Sequence, residues 1–399
     1  MNYLGVDISK NTSVVAHYQN DKFQKEFTIQ NNENGYNFLL KYLNQMDSLQ
    51  IVFESTGIYS RSMKKFCRLH QFDYFELNPL EAKFKTSSLR SWKTDKSDAH
   101  KLARMVHDLP ATESPQAYEE IYFELRERVR FHLQIESQQN KLKTGIIEQL
   151  HQTFPGLEKL FSNRYSMIAL NIAELFTHPD IVVELDKERL VEEIFNSTDK
   201  AMSRDKAEKH AVQLINIAHE SFPNVDRHSF LVEKARILIK DLKSSMQKLK
   251  ELAKAMIELA KQMDCFESIY SIPGIGELTA AMIVGELGDI TRFYSHKQIN
   301  AFVGIDVKRY QSGNTHCRDT INKRGNKKAR QIFYSIIMNI LKGKRHYDNH
   351  VADYYYKLKE QPYGKSHKTA VVACINKLLK TIHYLVNNHK LYDYQMAPH

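Results

Sequence analysis

The sequence predicts an α/β domain at the N-terminus, followed by a long and almost entirely helical remainder. Residues 1–110 alternate short apolar runs with amphipathic segments, the pattern of strands and helices that share one sheet. Two later segments, 119–153 and 230–263, repeat apolar residues at steps of three and four, which is typical of long helices. The last third, from residue 265, combines helical periodicity with an excess of lysine and arginine. The predicted fold class is therefore α/β plus all-α.

Within the N-terminal part, the predicted elements follow the order β-β-β-α-β-α-β. Five strands are predicted from apolar or alternating runs, namely residues 3–8, 12–18, 22–29, 50–53 and 73–77. The first three follow one another closely, which predicts an antiparallel meander. Two helices are predicted between the later strands, over 35–46 and 59–70. Helices that alternate with strands in this way pack on the faces of a single sheet.

The middle of the chain predicts a helical spacer. The apolar stripe of 119–153 consists of Ile121, Leu125, Val129, Leu133, Leu142, Ile146 and Leu150. The stripe of 230–263 consists of Leu231, Ala235, Leu238, Leu242, Met246, Leu249, Leu252, Met256 and Leu259. Such stripes predict a coiled coil or a helical hairpin. Between them, three prolines divide 154–223 into several shorter helices. We therefore predict three domains, 1–112, 113–264 and 265–399.

Composition and charge narrow the class of protein. Among 399 residues, 57 are lysine or arginine and 47 are acidic, and this net charge of +10 favours a polyanionic partner. The four cysteines are widely separated, so neither a disulfide framework nor a zinc knuckle is predicted. The first residues lack the layout of a signal peptide, and no run approaches the roughly 18 apolar residues of a membrane span. We expect a cytoplasmic protein without a membrane partner.

Four carboxylates are the first candidate for chemistry. Asp7 and Glu54 each stand at the end of a predicted strand, and such ends border the crevice where open α/β sheets bind ligands. Asp95 and Asp98, spaced i and i+3, share one face in the first turn of a helix that Thr94 is placed to cap. Oxygen ligands of this kind select Mg²⁺ or Mn²⁺, and two such ions assist phosphodiester chemistry. Each acid taken alone also has a structural explanation, either solvation or complementing a helix dipole.

A family resemblance joins these four acids. The pieces GVDISK, FESTGIY, ELNP and KTDKSDAHKLA, in this order, resemble the DEDD transposases related to the Piv DNA invertase, the insertion-sequence one-ten group of recombinases. The resemblance implies a RuvC-like, ribonuclease-H-like N-terminal domain. It also implies that Asp7, Glu54, Asp95 and Asp98 form the metal-binding tetrad of the family.

The C-terminal third begins with a second candidate motif. Residues 268–287 read SIYSIPGIGELTAAMIVGEL, and the PGIG turn before a helix is the pattern of helix-hairpin-helix DNA binders. Gly274 and Gly276 let backbone amides approach a phosphate at a helix N-terminus. An ordinary glycine turn between two helices is the alternative explanation.

The next segment carries the predicted nucleophile. Gly304-Ile305, Ser312-Gly313 and the stretch from Ile321 to Asn326 resemble the C-terminal transposase domain of the same family, whose catalytic serine falls on Ser312. The cations of this region are Lys308, Arg309, Arg318, Lys323, Arg324, Lys327 and Lys328, and we predict that they contact nucleic acid. The first five of them are also candidates to stabilise charge on the transferring phosphate. His100 and His316 lie near these motifs and receive no role.

The resemblance covers 1–110 and 265–345, and it leaves the block 154–223 and the tyrosine-rich and lysine-rich tail without counterparts. It implies a DNA transposase or site-specific recombinase that forms a phosphoserine link to DNA. The implied partners are donor and target DNA, a structured noncoding guide RNA and further copies of the chain, as a dimer or tetramer. During the reaction such a protein associates with the nucleoid. Two other classes stay open: a structure-selective nuclease that needs no serine, and a catalytically silent nucleic-acid-binding protein.

Overall fold

The structure is a computed structural model that describes residues 1–55, 57–77, 95–104, 118–198, 202–308, 311–312, 315–316 and 320–396. It divides into two compact units, Met1–Ala117 and Tyr118–His399. The side chains of residues 95–97, 118–119, 308, 311–312 and 315–316 lie outside this description, although their backbone is placed. The predicted cap at Thr94 is likewise outside the described residues.

The first unit is built on a five-stranded mixed sheet with the order β3-β2-β1-β4-β5. Its strands are β1 (Asn2–Ile8), β2 (Thr12–Gln19), β3 (Lys22–Gln30), β4 (Leu49–Glu54) and β5 (Asp73–Leu77). The first three pair antiparallel, as the predicted meander requires, and β4 runs parallel to both β1 and β5. The helices in its described residues are α1 (Glu33–Leu43), α2 (Ser60–Leu69) and α3 (Asp95–Arg104). The predicted order of strands and helices is confirmed.

The two faces of this sheet bury different sets of side chains. On one face, Leu4, Val6 and Phe53 pack with apolar residues of α1 and α2. On the other face, Tyr3 and Val52 pack with three residues of α3, which are Ala99, Leu102 and Ala103. Successive residues of a strand point to opposite faces, so this division fixes the face of every residue of β1 and β4.

The second unit contains two long helices that pack against each other. They are α4 (Tyr118–Thr153) and α9 (Phe230–Ala260), close to the predicted bounds. Near one end of the pair, Leu125, Val129 and Met256 join the core of the C-terminal helices. Near the other end, Ile146 and Ile239 join a separate core. The pair therefore links two hydrophobic cores within this unit.

The second of these cores belongs to the block between the long helices. Outside residues 199–201, this block contains four α-helices, α5 (Met167–Leu175), α6 (Pro179–Val183), α7 (Lys187–Asn196) and α8 (Arg204–Glu220), and a short 3₁₀ helix, Leu157–Lys159. Polar side chains at Ser166, Asp186 and Ser203 accept hydrogen bonds from first-turn amides and so fix where three of these helices begin. The predicted series of shorter helices is confirmed.

The remainder of the unit is mainly helical. Its helices are α10 (Cys265–Tyr270), α11 (Glu277–Leu287), α12 (His296–Val303), α13 (Lys327–Gly343), α14 (His350–Lys359) and α15 (His367–Asn387). Its short strands pair as two ladders, β6 (Val307–Lys308) with β9 (Thr320–Ile321) and β7 (Gln311–Ser312) with β8 (Thr315–His316). We call these four strands the serine ribbon, because they include Ser312.

One described helix, α15, is long and apolar enough to cross a membrane by length and composition alone. Its apolar side chains include Val371, Ile375, Leu378 and Ile382, and all four are buried in the core of the C-terminal helices. A helix in the interior of a helical core has the same composition. The helix is therefore a core element of this unit.

Candidate active site

Asp7 and Glu54 lie side by side at the ends of two parallel strands. The ladder between β1 and β4 pairs Val6 with Phe53, and each acid is the next residue along its strand. Both acids fall on the face that carries Tyr3 and Val52, because side chains alternate between the faces. We call this pair the acidic edge. Both side chains are partly exposed, so water and ions reach them.

Helix α3 covers the same face of the sheet. A Cβ atom at Gly5 would overlap the carbonyl oxygen of Ala99 and the backbone of Ala103, so only glycine lets the helix lie this close to β1. Asp95 is the first residue of α3, and its side chain lies outside the described residues. Asp98, one turn further along, has an Oδ1 atom 2.9 Å from the Nζ of Lys101.

The structure places Asp7 and Glu54 on one sheet face, and it places Asp95 and Asp98 on the helix that covers this face. Within the part of the chain described, no three histidine, cysteine or acidic side chains are grouped closely enough to hold a metal ion. That search does not include the side chain of Asp95. The metal tetrad therefore stays a prediction, and Asp7, Glu54 and Asp98 are the members whose side chains are described.

Ser312 lies at the end of β7, where the backbone pairs Ser312 with Thr315. The two residues between these partners, 313 and 314, and the side chain of Ser312 lie outside the described part of the chain. Ser312 and Thr315 are thus the pair at one end of this two-stranded ladder. The predicted nucleophilic role of Ser312 stays a prediction.

The base of the serine ribbon is a close backbone crossing. A Cβ atom at Gly325 would lie 2.5 Å from the nitrogen of Gly304, and one at Gly304 would lie 2.8 Å from the nitrogen of Gly325. Gly304 also ends α12 with a φ of 78°, a conformation that glycine adopts without strain. Asn326 then caps α13 by accepting hydrogen bonds from the amides of Lys328 and Ala329. The Gly304 and Ile321-to-Asn326 elements of the motif therefore shape the base of the ribbon.

The predicted basic residues are placed unequally. Lys323, Arg324 and Lys327 are exposed, and Lys328 is partly exposed. Lys308 is the second residue of β6, with its side chain outside the description, while Arg309 and Arg318 lie wholly outside the described residues. The four described cations lie just before α13 or in its first turn, where a phosphate would meet both side-chain and helix-dipole charge.

The two glycines of the predicted DNA-binding turn differ in their surroundings. Gly274 has a φ of 92°, and a Cβ there would come within 2.6 Å of the Tyr347 hydroxyl. Gly276 caps α11 and has open space around its Cα. The next residue, Glu277, pairs with Lys261, so a carboxylate stands in the first turn of this helix. Contact of either glycine with a phosphate stays a prediction.

Family models match both halves of this arrangement. A model described as a transposase matches residues 4–155, and a model described as the transposase IS116/IS110/IS902 family matches residues 267–355. Together they match more than half of the chain and include the acidic edge and the serine ribbon. The chain belongs to the IS110 family of transposases. It is therefore an enzyme of the transposase and recombinase class, as the resemblance implied.

Individual relatives of this transposase agree with the family match. The chain is 32% identical over 146 residues to a transposase for insertion sequence element IS1111A of Coxiella burnetii, and that match spans 37% of each chain. It is 21% identical to the pilin gene-inverting protein of Moraxella bovis over 98% of this chain and 97% of the relative. It is 23% identical to an uncharacterized insertion element IS110 protein of Streptomyces coelicolor, over 76% of this chain and 73% of that one.

Two features of the transposase were not expected from its sequence. His100, which received no role, lies 2.8 Å from the Tyr18 hydroxyl through Nδ1 and 2.9 Å from Glu26 through Nε2, and so holds α3 against the sheet. Glu286 is 1% exposed in α11 and meets Arg130 of α4 and Asn326. The only signal for Glu286 in the sequence is an acid inside the apolar run AAMIVGEL. The role of His100 depends on strands that are distant in sequence.

Proposed function

We propose that this transposase cuts and rejoins DNA through Ser312, assisted by Mg²⁺ held by Asp7, Glu54, Asp95 and Asp98. The acidic edge carries the proposal, because two carboxylates at neighbouring strand ends offer oxygen ligands to a hard divalent ion on one face of the sheet. The strand order and the antiparallel first three strands are consistent with the ribonuclease-H-like, RuvC-like fold that the resemblance implies. Mn²⁺ is the alternative ion for the same oxygen ligands.

The donor set suits a hard divalent ion. Asp7 and Glu54 offer oxygen atoms on one face of the sheet, and α3 brings Asp98 and the start of the helix at Asp95 to that face. Such an ion would polarise the phosphate oxygens of DNA and lower the barrier to attack at phosphorus. Water can reach these side chains, because those of Asp7, Glu54 and Asp98 are partly exposed.

Ser312 would attack the phosphorus of one DNA strand through its Oγ atom. The new bond is the serine phosphoester, and the broken bond is one phosphodiester P–O bond. The serine hydroxyl gives up its proton, and the leaving DNA oxygen takes one up to become a hydroxyl. Reversal of this step by a hydroxyl of another strand releases the serine and restores a phosphodiester. No external energy source is needed, because one ester is exchanged for another. Lys323 and Arg324, exposed near the base of the ribbon, would offset charge on the phosphate.

Donor and target DNA are the proposed substrates, and the inverting relative from Moraxella is named for a rearrangement of a gene. We further propose, from the family resemblance, a structured noncoding guide RNA and a homo-oligomer, a dimer or tetramer, in the bacterial cytoplasm. Base pairing would then supply sequence while the protein reads backbone and shape. Purification of the protein with one discrete RNA encoded beside its gene would support the guide, and RNA of random sequence would contradict it. Size determination by light scattering tests the oligomer.

Excision in cells tests the central proposal. Wild-type protein, Asp7→Ala and Ser312→Ala are each expressed with the native flanking DNA and its adjacent transcript, and the circular junction product is quantified. We expect junctions from the wild type only. Glu76→Ala is the matched control, because Glu76 lies on the neighbouring strand β5 and binds Lys64 of α2 at 2.8 Å. A Ser312→Ala protein that still cuts DNA and leaves hydrolysed ends would favour the structure-selective nuclease instead.

A further inference from the structure

Glu286 is a buried carboxylate with a donor at each oxygen. Its side chain is 1% exposed in α11. Its Oε1 atom accepts a hydrogen bond from Nε of Arg130 at 3.1 Å, and its Oε2 atom accepts one from Nδ2 of Asn326 at 2.6 Å. A second guanidinium nitrogen of Arg130 lies 3.5 Å from Oε2. A buried charge is tolerated only when it is paired in this way.

The contact with Arg130 is part of a close seam between α4 and α11. A Cβ atom at Gly285 would lie 2.7 Å from Val129 of α4, so the two helices approach closely at this glycine. Arg126, one turn before Arg130, donates to the carbonyl oxygen of Gly285 at 3.1 Å. Glu286 follows Gly285 directly, so it belongs to the part of α11 whose position against α4 is fixed by this close packing and by the Arg126 hydrogen bond.

The contact with Asn326 extends this seam to the serine ribbon. The backbone amide of Asn326 donates to the carbonyl oxygen of Phe302 at 2.6 Å, beside the crossing of Gly304 and Gly325. Asn322, the residue after β9, donates through its amide to the carbonyl oxygen of Asp306, the residue before β6. These hydrogen bonds fix the two ends of the ribbon next to each other and orient them relative to α13.

We propose that Glu286 is a positioning residue for Ser312: through Asn326 it sets the direction in which the serine ribbon leaves the helical core. The role rests on the proposed function of Ser312. The pair adds little to stability, because the Arg130 side chain is 40% exposed and solvent screens its charge. An acid with two directional acceptors instead fixes the angle of the groups that it binds. Small errors in that angle slow attack, because a nucleophile must be held close to its reacting geometry.

Exchange of donor and acceptor between positions 286 and 326 tests the proposal. Glu286→Gln places an amide donor against Arg130 or Asn326, and Asn326→Asp places two carboxylates against each other. In the double variant, the amide of the new glutamine donates to the new aspartate, which still caps α13. Glu258→Gln, on the exposed surface of α9 with a side chain that is 64% exposed, is the matched control.

The readout is the rate at which the purified protein, with its flanking DNA and adjacent transcript, forms a covalent protein–DNA adduct. DNA affinity is measured separately, and amide hydrogen exchange is followed in β6 and β9. We expect Glu286→Gln to slow adduct formation about tenfold, the size expected for one charged hydrogen bond, with affinity changed less than about twofold. Asn326→Asp should be slower still. The double variant should recover to within about threefold of wild type, because the directional contact returns.

Two results would overturn the positioning role. One is a wild-type adduct rate in Glu286→Gln, and the other is a double variant as slow as the product of the two single effects. A merely structural role would lower the melting temperature and weaken DNA binding together, without a selective change in adduct rate. If Ser312→Ala itself still forms adducts or cuts DNA, the proposed function fails instead, and the two failures are thereby distinguished.

Discussion

Gly304 and Gly325 cross at the base of the serine ribbon with so little space that neither accepts a side chain. A Cβ at either position would come within 2.8 Å of the backbone nitrogen of the other, and Gly325 also faces the carbonyl oxygens of Ala301 and Phe302. Backbone atoms cannot move aside as the end of a flexible side chain can. The spacing between the two chain segments is therefore set by the absence of side chains.

Gly325→Ala should destabilise the protein by about 1–3 kcal/mol, the usual cost of inserting a methyl group into a packed site. Gly276→Ala is the control, because nothing lies within 4 Å of the position that its Cβ would occupy. Thermal unfolding of both variants checks this. Equal melting temperatures for the two would show that the crossing is looser than the structure has it.

Glu54→Gln should lower the yield of recombined DNA at least about 100-fold, the size of effect seen when one stabilising group at a transition state is lost. Glu76→Gln should leave the yield within about twofold, because Glu76 lies in register with Phe53 and faces α2 on the other side of the sheet. Recombination on a plasmid substrate is the measurement. Loss of activity in both variants would indicate damage to the sheet rather than loss of a metal ligand.

The second unit should lose stability as the pH falls below 6.5. Desolvation is the main cause that lowers the pKa of His132 in α4, and the nearby carboxylate of Glu136 opposes it. Because the pKa in the folded state is below the unfolded value of 6.5, the unfolded chain binds the proton first as the pH falls. Stability is therefore full above pH 6.5 and declines between 6.5 and the folded pKa, by at most about 1.4 kcal/mol per pH unit.

His132→Met should reduce that decline, since it removes the titrating group and keeps a similar volume. His151→Met, on the same helix but with a side chain that is 58% exposed, is the matched control. Urea unfolding at pH 7.5 and 5.5 gives the free energies. A pH dependence of unfolding that is unchanged by His132→Met would assign the effect to other buried groups, such as His17 of the first unit, whose pKa is also lowered by burial.

Lys327→Ala should weaken DNA binding to all sequences alike and reduce the slope of log affinity against log salt by about 1, as expected for one lost phosphate contact. Lys254→Ala, at a side chain that is 80% exposed on α9, should change neither quantity. Affinity titrations at several salt concentrations make the comparison. A change of sequence preference without a change in salt slope would show that Lys327 contacts bases instead of phosphate.

The three described cysteines should resist alkylation while the protein is folded. Burial raises the pKa of the thiols of Cys67 and Cys374 to about 12 and that of Cys265 to about 11. Thiolate, the reactive form, is therefore scarce at neutral pH. In a Cys317→Ser background, we expect slow labelling by iodoacetamide that accelerates with urea as the chain unfolds. Fast labelling in the absence of urea, followed by mass spectrometry, would identify a thiol that is more accessible than its burial indicates.

Much of the fold was predictable because its sequence patterns are strong and local. The strand 73–77 was predicted to the residue, and the helix that was predicted to begin at residue 230 does so behind a serine cap at Ser229. The acidic edge was predictable too, since Asp7 is the last residue but one of β1 and Glu54 is the last residue of β4. These elements were predictable because their apolar patterns and caps lie within a few residues of one another in the sequence.

The contacts that fix the candidate residues within each unit were not predictable. Glu286 lies 156 residues from Arg130 and 40 from Asn326 in sequence, and His100 lies 74 from Glu26. Hydropathy and spacing report on neighbours within a helix or strand, so pairings across such separations leave no pattern. Gly325 illustrates the same limit, because its motif was visible while the crossing that requires it was not.

The length of the paired long helices sets the distance between the two hydrophobic cores of the second unit. An α-helix advances about 1.5 Å per residue, so α4 with its 36 residues extends about 54 Å. Its two ends belong to different hydrophobic cores. The distance between those cores therefore depends on the number of residues in the helices. Insertion of one matched heptad into each helix would increase this distance by about 10 Å. The helical block can therefore be moved farther from the C-terminal core by such insertions, without a change in the side chains at the base of the serine ribbon.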